Sequence, residues 1–215
     1  MRYCTVLLAA LVALSGCDSS PLGKAAPGNS GARSTAVASG APQARYENLD
    51  YGIALSYPKE EAERSKDRDD YFDEGGWRLG AGPDAPGAAL LVLRLKGSDE
   101  IRAGELRLGA SRDEAALATC TEPDPWARRG SVGEAHLDGV IFTTFQGGDA
   151  AMNHYRKVHA YRAVHRGVCY AIDLVVQGSN GQVYDPPREA PFSETRAFGD
   201  LQALVDGTRF IERAP

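Results

Sequence analysis

The chain has 215 residues, of which 43% are hydrophobic, 25% charged and 8% aromatic, and its formal net charge is -5. Those proportions suit an ordinary soluble domain with a real core and exclude a collagen-like or wholly disordered chain. They also argue against a nucleic-acid partner, because 24 Lys+Arg against 29 Asp+Glu leave no overall positive charge to meet phosphates. Met1-Arg2 gives a positive start, and the nine residues Val6 to Leu14 are all apolar. Nine fall short of the roughly 20 needed to span a bilayer, but they suit the apolar region of a secretory signal.

The run ends in Leu14-Ser15-Gly16-Cys17. Small residues at 15 and 16 let a peptidase close on the backbone, and the Cys17 thiol can accept a lipid. This stretch resembles the lipobox of bacterial lipoproteins. The resemblance implies that residues 1–16 are a lipoprotein signal peptide and that Cys17 becomes the first mature residue, acylated on sulfur and nitrogen. Two or more acyl chains anchor a protein stably where one holds it only marginally. The expected location is then the bacterial cell envelope, facing the periplasm. Asp18 goes with inner-membrane retention in enteric bacteria, so the inner membrane is favoured over the outer. The competing reading is an ordinary secretory signal with a chance cysteine.

Residues 17–45 read as the lipidated cysteine and a flexible linker. From Asp18 to Arg45, 19 of 28 residues are Ala, Ser, Gly or Pro, and only Leu22 and Val37 are sizeable hydrophobes. Such a segment buries too little surface to offset its ordering entropy. With Cys4 removed and Cys17 acylated, Cys120 and Cys169 remain. In an oxidising compartment that pair reads as a disulfide, with two unrelated buried thiols as the alternative.

Residues 46–215 are long enough for one globular domain. Tyr51, Ile53, Leu55 and Tyr57 alternate with small residues, predicting a half-buried strand that Pro58 ends. Twelve of the sixteen residues 59–74 are charged, which predicts a solvated loop or frayed helix. Asp67, Asp69, Asp70 and Asp73 hint at a calcium loop, but Tyr71 stands where a ligand is needed. Strands are predicted at Ala88–Leu95 and Glu105–Ala110. Ser111-Arg112-Asp113-Glu114 reads as a capping box opening a short helix. A meander follows: a strand at Ser131–His136, a turn at Asp138-Gly139 and a strand at Val140–Gln146. Asn153–His165 and Val168–Gln177 pair across Arg166-Gly167. Val168, Tyr170, Ile172, Leu174 and Val176 share one core-facing side. After a Pro-rich loop (Pro186, Pro187, Pro191), Phe198, Leu201, Leu204, Val205 and Thr208 recur at helical spacing, and Phe210 and Ile211 end the domain.

The pattern is that of an α+β fold, an antiparallel β-sheet packed by a few helices. Three stretches carry a family likeness: the entry Tyr51 to Pro58, the hairpin around Arg166-Gly167-Val168-Cys169-Tyr170, and the closing helix running into Thr208-Arg209-Phe210. Here the domain resembles the periplasmic PsbP/Mog1-like group, including DcrB-type lipoproteins. That resemblance implies no catalytic residues.

Direct motifs for chemistry are missing as well. The sequence has no Gly-x-Ser-x-Gly elbow, no His-Glu-x-x-His and no glycine-rich phosphate loop, so no cofactor and no metal is expected. His136, His154, His159 and His165 are spread out, with His159 and His165 about 20 Å apart along one strand face. Arg156, Lys157, Arg162 and Arg166 read as a solvated outer face or a charged edge strand, or else as a site for an anion or lipid headgroup. Trp77 and Trp126 read as core lids or as a binding surface. The function expected is a non-enzymatic binding or accessory module acting on an envelope partner. The alternative is an envelope hydrolase whose site is assembled from dispersed residues not recognisable as a motif, such as Ser193 with a histidine and an acid.

Overall fold

The computed structural model describes residues 42–65 and 76–212. Cys17, Asp18, the signal, most of the linker and the candidate calcium loop at Asp67–Asp73 lie outside the described residues. All the described residues belong to one compact unit, Ser39–Pro215. It is a sheet-dominated α+β fold in which every strand pairing is antiparallel.

In chain order the strands are β1 (Gln43–Asn48), β2 (Ile53–Pro58), β3 (Ala62–Arg64), β4 (Ala88–Leu95) and β5 (Ala103–Ser111). The short helix α1 (Glu114–Ala118) precedes β6 (Gly133–Leu137), β7 (Val140–Ala151), β8 (His154–His165) and β9 (Val168–Ser179). A 3-10 turn (Gly181–Val183), α2 (Glu194–Val205) and β10 (Thr208–Phe210) complete the described chain. The larger sheet runs β3-β4-β5-β9-β8-β7-β6, and the smaller runs β1-β2-β10. Among the described residues no helix is long and apolar enough to cross a membrane.

The β6–β7–β8–β9 meander rests on three two-residue turns. Asp138-Gly139, Met152-Asn153 and Arg166-Gly167 all have positive φ at both positions, the geometry that matches the twist of an antiparallel ribbon. The β9 stripe predicted from alternation is fully buried, together with Leu106 and Leu108 of β5 and Leu93 of β4. Ala197, Leu201, Leu204 and Val205 of α2 close over it, and Ile53 and Leu55 of β2 add the smaller sheet. Tyr161 of β8 donates its hydroxyl to Gln202 of α2. The Phe210 ring packs 6.2 Å from Phe142 and 5.1 Å from Tyr170, so β10 ties the smaller sheet to the same core.

Several expectations shift. β1 begins at Gln43, inside the stretch assigned to the linker (17–45), because its backbone pairs with β2 from Gln43↔Pro58 onward although its side chains are mostly polar. The charged stretch holds β3, whose Ala62 is buried. Ser111 ends β5 rather than capping a helix: its hydroxyl donates to the Pro86 carbonyl at 2.6 Å, and Asp113 is the N-cap, accepting from Ala115 N and Ala116 N. Thr208 leaves the helix and pairs with Leu55 as a strand residue. β7 extends to Ala151, well past Gln146, carried by its pairing with β8.

The second face of the larger sheet is covered too. Cys169, Ala171, Asp173 and Val175 of β9 are as buried as the predicted stripe. Two tryptophan-bearing loops and α1 lie over them. Gly109 and Gly147 permit this: a Cβ there would come within 1.6 Å of the Trp77 carbonyl and 2.3 Å of the Trp126 carbonyl respectively.

Candidate functional site

The seven-stranded sheet gives β8 a central place, so its even-numbered basic residues do not form a solvated edge. Arg162 is 0% exposed, and its guanidinium pairs with Asp173 at 2.7 Å and Asp124 at 3.1 Å. Asp124 also takes Arg78 at 2.6 Å, while Asp173 accepts the backbone N–H of Leu79 at 3.0 Å. Two carboxylates thus offset two guanidiniums, as a buried charge requires. The Arg162 guanidinium also lies 5.3 Å over the Phe145 ring. This network pins the loops 76–82 and 123–128 to the sheet. The reading of Arg162 as part of an outer basic face is therefore corrected: neighbouring carboxylates delivered from distant loops allow it to be internal.

The pinned 123–128 loop forms one wall of a groove. Trp126 packs 5.4 Å from Phe145, Ala127 bridges to Gly147, and Arg128 N donates to the Gln146 carbonyl at 2.7 Å. The last pairing of β6 with β7 is Gly133↔Thr144, so this segment takes over the β7 edge. The opposite wall is the start of α2, with Glu194 and Phe198. β7 and β8 make the floor, where Ala150 adds little bulk and Gly148 lets the Arg156 carbonyl of β8 come close. The cleft has a volume of about 660 Å³.

Three contacts set its chemistry. His159 stacks on Phe198 with ring centres 3.9 Å apart and planes 9° apart. Lys157 Nζ meets Glu194 at 2.6 Å. Arg128 Nη2 donates to Gln146 Oε1 at 3.2 Å. Burial pushes the His159 pKa down, the Glu194 carboxylate opposes that shift, and the Arg128 guanidinium adds to it.

Of the predicted residues, Arg156 and Lys157 line this groove, from opposite faces of β8, while Arg166 sits apart in the β8–β9 turn. Trp126 borders it only from the other face of the sheet, where it packs on Phe145, whereas Trp77 is buried beside Cys120 and Cys169. Those two sulfurs lie 2.03 Å apart, at bonding distance. His136 is exposed on β6, and His165 packs 4.8 Å from the Phe210 ring. Among the described residues, no three His, Cys, Asp or Glu side chains converge as a metal set. The Ser193 hydroxyl caps α2, accepting from Arg196 N at 3.1 Å. Sequence reasoning missed Arg128, Gln146, Glu194 and Phe198, which come from three separate elements, and it passed over Asp124 and Asp173. A lone aspartate inside the apolar run of β9 was the available signal for the ion network. No known family matches the sequence, and no curated protein is significantly similar to it.

Proposed function

We propose that the protein is a lipid-tethered binding module of the bacterial envelope, with Cys17 as its anchor and the groove between α2 and the Trp126–Arg128 segment as its ligand surface. One observation carries the second half of this reading. A buried ion network, costly to desolvate, fixes the 123–128 wall against the sheet, and that wall faces an open cleft lined by rings and charges. Convergent polar groups beside aromatic rings suit recognition. The Ser193 hydroxyl, one residue a hydrolase could use, accepts the capping hydrogen bond of α2. The antiparallel sheet with its closing helix is compatible with the PsbP/Mog1-like resemblance, which supports a non-enzymatic role. The periplasm as compartment would favour an oxidised Cys120–Cys169 pair.

A photo-crosslinking residue at Gln146 tests the groove in native membranes, with the same group at exposed Lys59 as the remote site. The reading expects one discrete adduct from Gln146, lost in the Lys157→Glu variant, and identified by mass as protein, glycan or lipid. No adduct, or the same adducts from both sites, would overturn it.

A further inference from the structure

We propose that this groove takes the phosphate group of an anionic ligand, held by Arg128 and Lys157. The inference rests on the groove being the binding surface and adds the chemical class of what binds there.

Charge is the first argument. The chain carries a net -5, yet on the α2 face of this cleft Arg128 and Lys157 stand with Glu194, while Arg156 and Asp149 pair on the other face of the sheet. Glu194 is already engaged, accepting from Lys157. The side-chain partner of Arg128 is an uncharged amide, so its planar fork keeps its charge for a ligand; bidentate geometry matches phosphate oxygens. Lys157 is about half exposed (53%), free to turn from Glu194 to a stronger anion on the same side of the sheet. An anion of charge near -2 outcompetes a single carboxylate for such a point charge.

Shape is the second argument. Ala150 adds little bulk on the floor, while the stacked His159–Phe198 pair offers ring surface on the same face of β8 as Lys157. A phosphate with an organic remainder would place its charge at Arg128 and Lys157 and the remainder against the rings. A phospholipid headgroup and a soluble phosphate ester share that chemistry.

The full chain, purified in an uncharged detergent, is titrated with inorganic phosphate and with dihexanoyl phosphatidylglycerol, read by the ring signals of His159 and Phe198. Saturable binding is expected, weakened about tenfold or more by Arg128→Gln and by Lys157→Gln, and unchanged by Lys59→Gln. Phosphatidylglycerol binding about tenfold tighter than phosphate identifies a headgroup site, and equal affinities identify a soluble anion. No saturable response to either probe, or equal weakening by Lys59→Gln, overturns the proposal. If the Gln146 adduct persists while neither probe binds, the phosphate inference falls and the groove reading stands. Loss of both overturns both.

Discussion

The two faces of the seven-stranded sheet bury β9 alike but are held by different physics. On the α2 side, Leu93, Leu106, Ile172, Leu174 and Leu201 pack by apolar contact alone. On the other side, Arg162 joins Asp124 and Asp173, Glu105 takes Arg94 at 3.2 Å and Arg107 at 2.9 Å, and Cys120 meets Cys169 beneath Trp77. Burial of apolar area is non-directional and tolerates small shifts. Buried charges need particular partners in particular places. The second face therefore fixes loop positions that the first could not, and one of those loops, 123–128, leads into the groove at Arg128.

The largest expected effect comes from breaking the ionic face at its centre. Arg162→Leu leaves Asp124 and Asp173 buried without their cation, and should cost about 3–5 kcal/mol in denaturant unfolding. A loss below about 1 kcal/mol would mean the loops are held by something else. Removing the covalent link is next. The Cys120–Cys169 pair closes a loop with a sequence separation of 49, so Cys120→Ala with Cys169→Ala should cost roughly 4 kcal/mol or less at equilibrium. Equal stability of the double variant and the parent would show that the link adds nothing.

A subtler change tests how the wall is seated. Gly147→Ala puts a Cβ about 2.3 Å from the Trp126 carbonyl, and the wall must move. The expected cost is about 1–3 kcal/mol, with altered tryptophan emission and loss of the Gln146 adduct. Unchanged emission would contradict this seating of Trp126. The smallest effect concerns His159. Its folded pKa is lowered, chiefly by burial, below the ordinary value near 6.5. Between the two values the unfolded chain binds more protons than the folded one. Its contribution is therefore fully present above about pH 6.5 and is lost as pH falls through the lowered folded value. His159→Gln should flatten that part of a melting-temperature profile, and superimposable profiles would exclude the effect.

The contrast between faces also explains what was legible in advance. Alternation revealed Val168 through Val176 because apolar burial leaves a period in the sequence. Asp138-Gly139 and Arg166-Gly167 were readable as turns from their glycines. Met152-Asn153 was not, since methionine rarely adopts positive φ and only the β7–β8 pairing places it there. The ionic face left no period: Asp124 and Arg162 are 38 residues apart, and Arg78 and Asp124 are 46 apart. The groove was hidden for the same reason. Lys157 was noticed as one charge among several in β8, but its partner Glu194 lies 37 residues further on, and Arg128 joins the same cleft only after folding.

The intact mass of the mature protein from native membranes tests the tethered, oxidised state most directly. The account predicts a chain beginning at an acylated Cys17 and lacking the two hydrogens of the Cys120 and Cys169 thiols. A chain that retains residues 1–16 with an unmodified Cys17 and both thiols free would contradict it.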